Sequence, residues 1–280
     1  METGSTTTRR HAMARDGTGW GHVTGTGGAD GMDGTDGAGE AGRREFVDAD
    51  LSGARFVRSS LAGAVLRGVD VDGADLDAPW LPEGRFLVNG VDVVPYVEAE
   101  LDRRFPGRAL RRATDADGLR AAWAAVEATW AATLERVAAM PAGTVDVSVA
   151  GEWTFAQTLR HLVMATDTWL RRAVQEVPEP YHPIGQPNTE YATDGYDLAV
   201  FSASVPTYAE VLAVRAERVA MVHEHLASLT DADLVGVRRN PWGPEHPETV
   251  LSCLHTVLEE EWEHHRYAVR DLDTIAAGRA

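Results

Sequence analysis

A five-residue repeat over residues 49–78 constrains the fold of this 280-residue chain more than any other feature. The third position of each repeat is large and apolar, and five of the six repeats carry a small residue two positions earlier. The third-position residues are Leu51, Phe56, Leu61, Leu66, Val71 and Leu76. Neither a helix nor a strand has this period. The repeat predicts a short-period solenoid in which one large and one small side chain stack inward per repeat.

The same pattern resembles the pentapeptide-repeat family, which implies a square, right-handed β-helix with four repeats per coil. Six repeats would make about one and a half coils. Because a solenoid is stabilised by stacked neighbours, so short a β-helix stub is expected to dock on another structure, the rest of this chain being the first candidate.

The charge of the chain excludes several classes of partner. The formal net charge is −17, and all 26 basic residues are Arg. Nucleic acids and anionic membrane surfaces attract clustered positive charge, so we expect neither as a partner. No segment approaches the roughly 20 apolar residues of a membrane span, and the N-terminus has no apolar signal region, so we expect a soluble cytoplasmic protein. With Cys253 as the single cysteine, a metal site would have to use His and carboxylate ligands.

Composition and turn signals divide the chain into four segments. Residues 1–45 hold 12 of the 27 Gly and few large apolar residues, which predicts a disordered tail. Residues 46–81 contain the pentapeptide repeats. Residues 82–112 predict a hairpin with an Asn-Gly turn and a connecting helix. Residues 113–280 predict a helix bundle.

Four amphipathic helices are predicted in the last segment. They run from the Asp115 cap to Pro141, from 153 to 177, from 207 to 229 and from 248 to 275. The connection over residues 178–206 is long enough to be functional or to pack over a site. The fold class is therefore mainly α, an up-down four-helix bundle preceded by the repeat stub.

The fourth helix carries the chemistry. Residues 255–265 contain four Glu and three His. On a helical wheel of ~100° per residue, Glu261 and His265 lie on or beside the apolar stripe, one turn apart. A buried carboxylate needs a cationic partner, which a shared metal ion would supply. Glu260 and His264 point about 100° away, and we interpret them as an exposed pair.

A third ligand would come from another helix, and His161 lies at the edge of the apolar face of the second one. Taken alone, His161 is more typical of a histidine flanking the core. Asp167 and Arg160 are interpreted as surface charges. Cys253 falls off the apolar stripe, which argues against a role as ligand or nucleophile.

The segment from His161 to Trp169, followed about a hundred residues later by Glu261-Trp-Glu-His264-His265-Arg266, resembles the DinB family of metal-binding four-helix bundles. The resemblance covers residues 115–275. It implies a divalent metal ion held by His161, Glu261 and His265. A His, Glu, His set is closest to the branch that includes mycothiol-dependent maleylpyruvate isomerase.

Three protein ligands would leave a coordination position open, as in catalytic zinc sites. The resemblance then implies a metal-dependent thiol S-transferase or isomerase acting on a low-molecular-weight thiol and an electrophile, with mycothiol as the expected cosubstrate. Zinc is the default ion, and nickel, manganese and iron suit the same donors. The alternative is a non-enzymatic stress-response or interaction protein with a structural metal, whose pentapeptide segment recruits a partner. DinB-like bundles often pair, so a homodimer is plausible.

Two loops are candidates for covering the cavity mouth, residues 184–191 and residues 238–243. Both are polar and aromatic. They could contact a substrate, or they could only pack the ends of the bundle.

Overall fold

The computed structural model describes residues 45–188, 191–192, 195–203 and 205–279. The described residues fall into two compact units, residues 45–77 and residues 78–279, and each is considered by itself. The predicted disordered tail, residues 1–45, lies outside the described residues apart from Glu45.

Residues 45–77 form a stack of turns and bends that follows the sequence repeat. Backbone hydrogen bonds of 2.9–3.0 Å close a turn every ten residues, beginning at Leu51, Leu61 and Val71. The glycine at the third position of each turn has a positive φ, which side-chain-bearing residues rarely adopt. No residue between 45 and 77 is in a strand. The segment is thus a short repeat stub of turns, and its six third-position side chains are 39–59% exposed.

The second unit begins with the predicted hairpin and helix. Strand β1, Leu87–Val88, pairs antiparallel with β2, Val91–Asp92. Asn89 and Gly90 join them with φ values of 51° and 84°, as a type I′ turn requires. Helix α1 follows over Val94–Arg104.

Four long helices then form the predicted bundle, together with a short helix and a second hairpin. The long helices are α2, Ala116–Ala138; α3, Phe155–Thr166; α4, Tyr208–Ser228; and α6, Val250–Ala276. The short helix α5, Asp231–Leu234, precedes the antiparallel strands β3, Val237–Arg239, and β4, Pro247–Thr249. Helix α3 continues as a π-helical segment, Asp167–Val174.

Side-chain caps set the starts of all four long helices. Asp115 accepts a hydrogen bond from the backbone N–H of Gly118. Thr154, Thr207 and Thr249 each form a capping box with the residue three positions later. Each cap satisfies amide groups that have no partner within the helix. These local signals are why the predicted helix starts lie within two residues of the observed ones.

The crossover after α3 has a geometric cause. At the start of α3, Phe155 contacts Tyr208 at the start of α4, with ring centroids 6.4 Å apart. Further along both helices, Asp167 pairs with Arg218, so α3 and α4 run parallel. A parallel neighbour can be reached only by a connection that returns along the whole helix, about 30 Å for 20 residues. Residues 175–207 form this crossover loop.

Helices α2 and α6 run opposite to α3 and α4. Arg120 near the start of α2 bonds the carbonyl of Leu226 near the end of α4. Arg270 late in α6 pairs with Glu152 just before α3. The predicted four-helix bundle is present, but its order is up, down, down, up and not the expected up-down alternation, because α3 and α4 are parallel. Helices α2 and α3 each pack on both α4 and α6.

One apolar core fills the bundle. Its largest fully buried apolar side chains include Trp123, Leu119, Leu159, Leu162, Leu170 and Leu272. Burial of each such side chain contributes about 1.5–3 kcal/mol to folding. Among the described residues, no helix has the length and apolarity needed to cross a membrane.

Candidate metal centre

His161 lies in the second turn of α3, and its side chain is held by the crossover loop. The residue is 8% exposed. Its Nδ1 atom is 2.9 Å from the backbone carbonyl oxygen of Gln186. A carbonyl oxygen only accepts, so Nδ1 carries the proton and donates it. That bond fixes the ring orientation and leaves Nε2 as the atom available to a partner on the other side.

Glu260 and His264 lie one turn apart on α6 and face His161. The Nε2 atom of His161 is 3.4 Å from Oε2 of Glu260, and Nδ1 of His264 is 3.3 Å from the same oxygen. The Nδ1 atom of His264 also donates to the backbone carbonyl of Glu260 at 2.9 Å. Each of the three residues places a ligand-capable atom within 4.8 Å of the other two. We call this group the His-Glu-His cluster.

The electrostatics of the cluster favour an ionised carboxylate and a neutral imidazole. Burial raises the pKa of Glu260, but its interactions with His161 and His264 outweigh burial and hold the pKa below its usual value. Burial, with the charge of His161, lowers the pKa of His264 to about 4. His264 is therefore a neutral base near neutral pH, the form that coordinates metal.

Aromatic rings enclose one side of the cluster. The rings of His161 and His264 stack with centroids 4.6 Å apart. Trp153 lies 4.7 Å from the ring of His161 and 6.1 Å from that of His264. Tyr267 meets His264 edge-on at 5.9 Å. These contacts hold both imidazoles in place and limit the access of water to them.

The donor set of the cluster suits a divalent metal ion. In the His161 tautomer that the Gln186 carbonyl selects, Nε2 presents a lone pair to the Glu260 carboxylate at 3.4 Å. Two lone-pair atoms that face each other need a shared cation, either a proton or a metal. Metal-ligating histidines commonly donate their second N–H to a backbone carbonyl, as both histidines do here.

The comparison with known families gives the same assignment of the bundle. A family model for the DinB superfamily matches residues 125–268, and one for pentapeptide repeats matches residues 45–78 in eight copies. The first match covers more than half of the chain. The chain belongs to the DinB superfamily. No curated protein and no solved structure gave a significant match.

The DinB bundle places Glu261 and His265 differently from the sequence-based expectation, which grouped them with His161. Glu261 is 1% exposed, but both of its oxygens lie 2.5 Å from Nη2 of Arg215 on α4. The cationic partner of Glu261 is thus a guanidinium. Among the described residues, the group of three that could hold a metal contains His161 with Glu260 and His264 instead.

His265 lies in an aromatic cage on a different face of α6, turned toward α2. Its Nε2 atom is 2.8 Å from the hydroxyl of Thr133 on α2. The rings of Phe105, Trp130 and Trp262 surround it edge-on at 5.1–6.1 Å. Burial lowers the pKa of His265 to about 4. In this DinB chain the residue is a neutral core histidine.

The helical-wheel argument predicted that Glu260 and His264 are exposed, because it could not show that α6 is buried over a wide arc of its surface. Helix α6 packs on α2, on α3 with its π-helical extension, and on the 3₁₀ turn at Arg108–Arg112. The expected exposed pair, Glu260 and His264, is 13% and 15% exposed. An apolar stripe shows the centre of such an arc, but it does not show which neighbour faces each edge. One sequence signal could have identified the cluster: Glu260 and His264 form a second Glu-x-x-x-His pair beside Glu261 and His265.

Two expected surface charges instead anchor the crossover loop. Asp167 is fully buried. It pairs with Nε of Arg218 at 2.8 Å and accepts a hydrogen bond from the backbone N–H of His182 at 2.9 Å. Arg160 donates from Nε to the carbonyl of Ile184 at 2.8 Å. These contacts hold the loop that supplies the Gln186 carbonyl to His161.

The remaining sequence-based expectations concern Cys253 and the two loops. Cys253 is fully buried in the core, not off the apolar stripe, and burial raises the pKa of its thiol to about 12. This agrees with the expectation that it is not a nucleophile.

Gln186, in the first of the two candidate loops, reaches the His-Glu-His cluster. Tyr191 and Trp242, one from each loop, pack against each other at 6.0 Å, while Glu190 lies outside the described residues.

Proposed function

We propose that this chain is a divalent-metal-dependent thiol S-transferase or isomerase that uses the His-Glu-His cluster to activate a low-molecular-weight thiol, such as mycothiol, or a water molecule. The observation that carries the proposal is the convergence of two imidazoles and one carboxylate within 4.8 Å. Zinc is the default ion, and nickel, manganese and iron remain compatible with these donors.

The number of protein ligands favours catalysis over a purely structural site. A structural zinc site in proteins is closed by four protein ligands, whereas a catalytic site keeps a position for an external ligand. A divalent ion in a three-ligand site lowers the pKa of a coordinated thiol or water, which becomes nucleophilic near neutral pH.

The protein's own groups prepare that chemistry. The carbonyls of Gln186 and Glu260 keep the Nδ1 protons of the two histidines in place, so both Nε2 atoms stay available as ligands. The carboxylate of Glu260 is ionised because its pKa lies below the usual range. Trp153 covers the two imidazoles and reduces the competition from bulk water.

A conjugation assay tests the proposal. The full chain is loaded with zinc, nickel, manganese or iron in turn, and turnover of mycothiol with monobromobimane is measured. We expect turnover by the loaded wild type and loss of turnover in His264→Ala. The matched control is His223→Ala, because His223 is exposed on α4, where it pairs with Glu127. Turnover that survives His264→Ala would contradict the proposal.

A second candidate function is favoured by the exposed apolar residues of the repeat stub. In that case the metal would only stabilise the bundle, and residues 45–77 would recruit a partner. Absence of turnover with every thiol in fully metal-loaded protein would favour this candidate. Turnover that is retained after replacement of Leu61 and Leu66 by Asp would show that catalysis does not depend on the exposed apolar residues of the repeat stub.

A further inference from the structure

Trp153 contacts both histidines of the His-Glu-His cluster. The centroid of its indole lies 4.7 Å from that of the His161 ring and 6.1 Å from that of His264, to which it is inclined by only 21°. Trp153 is half-buried, and the three residues before it, 150–152, are exposed. The indole therefore lies between an exposed turn and the two imidazoles, so a ligand that approaches the cluster from this side meets the indole first.

The backbone around Trp153 is held on both sides. Residues 149–152 form a turn that is closed by a backbone hydrogen bond of 2.9 Å, and its two central residues have φ values of 53° and 78°. Such left-handed conformations persist where the surrounding structure fixes them. Glu152 pairs with Arg270 of α6, and Thr154 caps α3. The indole is thus attached to both helices that carry the cluster, and it forms a fixed wall.

Tyr267 forms a second wall beside His264. The two rings meet edge-on, with centroids 5.9 Å apart and an interplanar angle of 86°. The guanidinium groups of Arg266 and Arg270 lie over the Tyr267 ring at 4.5 Å and 5.3 Å, and cation–π contacts of this kind hold an aromatic ring in place. Two fixed rings therefore flank His264, and they narrow the approach to an ion in the cluster.

A narrow approach discriminates between external ligands by their width next to the donor atom. An ion with three protein ligands has a position for an external ligand, which has to bond beside these rings. A water molecule, or a sulfur bonded to a CH₂ group, is slim at that point, whereas a tertiary thiol carries further methyl groups beside its sulfur. Closely packed side chains adapt poorly to added methyl groups, so the wider thiol would bind more weakly.

We propose that Trp153 is a specificity-determining residue of the metal centre and restricts its external ligand to water and primary thiols, in which the sulfur is bonded to a CH₂ group. This inference rests on the proposed function, because it names the class of thiol that the ion would activate.

Thiol binding to the cobalt(II)-loaded full chain tests the assignment without turnover. Cobalt(II) binds the same donors as zinc, and a cobalt–thiolate bond gives a charge-transfer band in the near ultraviolet. The probes are ethanethiol and tert-butanethiol, which are both uncharged and differ by two methyl groups on the carbon that bears the sulfur. We expect the preference of the wild type for ethanethiol to exceed that of Trp153→Ala by about tenfold or more. Comparing the two preferences removes the intrinsic difference in donor strength between the thiols.

Matched variants locate the effect. Trp80→Ala removes an indole that is 59% exposed and lies outside the cluster, so it should keep the preference of the wild type. Elemental analysis confirms that each protein carries cobalt. If Trp153→Ala does not hold the ion, Trp153→Leu takes its place, because leucine keeps apolar volume beside the histidines but is narrower than an indole.

Two outcomes would overturn the inference, and they differ in what they mean for the proposed function. An equal preference in the wild type and the Trp153 variant, with the thiolate band present in both, would remove the role of Trp153 and leave thiol activation intact. Absence of the band from every cobalt-loaded protein would overturn the thiol chemistry itself.

Discussion

His264 and His265 are adjacent in the sequence, but they face different helices and should respond differently to substitution. His264 faces His161 on α3, whereas His265 contacts Thr133 on α2. We expect His264→Ala to abolish binding of one zinc equivalent. His265→Ala should retain the zinc but lose about 2 kcal/mol or more of stability, because it leaves a cavity among aromatic rings. Elemental analysis after dialysis and urea unfolding measure the two effects. Loss of zinc from His265→Ala alone would restore the sequence-based ligand set.

The Arg215–Glu261 pair makes a second prediction at this scale. Both side chains are at least 95% buried. Arg215→Met would leave a carboxylate enclosed without its counter-charge, at a cost of about 3–5 kcal/mol. The double variant Arg215→Met, Glu261→Met should recover most of that loss, since it removes both charges together. Urea unfolding of the wild type, of Arg215→Met, of Glu261→Met and of the double variant gives the coupling energy. Additive losses would show that the two side chains do not interact.

At the scale of the element, helix boundaries were predictable and helix orientation was not. Asp115, Thr207 and Thr249 mark helix starts through bonds to residues three positions away, so the signal is local and readable in one sequence. Whether Glu260 or Glu261 faces α3 depends on how α6 is rotated against three neighbours, and that information is spread over the whole bundle. His161 was found because it combines a helical position with a resemblance to a family motif.

The crossover loop was predicted to be functional or to pack over a site, but the residue that anchors it was not identified. Asp167 has one local cation, Arg171 four residues later at 3.2 Å, but its other partners, Arg218 and the backbone of His182, are 51 and 15 residues away in the sequence. An i,i+4 ion pair is also typical of an exposed helix surface, so the local pair did not show that Asp167 is buried. The π-helical turn that begins at Asp167 also has no simple sequence signal.

Asp167→Asn should loosen the crossover loop and weaken metal binding. The variant keeps the shape of the side chain but removes the charge that binds Arg218. The Gln186 carbonyl then holds His161 less firmly, and loss of such a supporting contact typically lowers metal affinity by about 10–100-fold. Competition with a chromogenic chelator measures the metal affinity, and hydrogen exchange at the Gln186 amide measures how often the loop opens. The control Glu179→Gln changes an exposed carboxylate in the same loop. Equal affinities for both variants would disprove the anchoring role.

At the scale of the whole molecule, the buried histidine in the aromatic cage should make stability depend on pH. Burial lowers the pKa of His265 from 6.5 to about 4. Between these values the unfolded state binds a proton that the folded state excludes. The contribution of His265 is therefore fully present above pH 6.5 and is lost as the pH falls toward 4. In His265→Phe, the free energy of unfolding should fall less steeply with decreasing pH, by up to about 1.4 kcal/mol per pH unit. Urea unfolding at pH 7, 6 and 5 with a chelator present tests this, and parallel curves for the two proteins would contradict it.

The two units of the chain are expected to differ in what they contribute to the metal centre. His161, Glu260 and His264 all belong to the unit that spans residues 78–279. The repeat stub buries little apolar surface of its own, because its third-position side chains are 39–59% exposed. Deletion of residues 46–77 should therefore leave the zinc stoichiometry and the dependence on His264 unchanged. The measurement is elemental analysis of the deletion protein, with and without His264→Ala. Loss of zinc from a deletion protein that retains its helical circular dichroism would show that the stub takes part in the metal centre, because the bundle would then be folded and still unable to hold the ion.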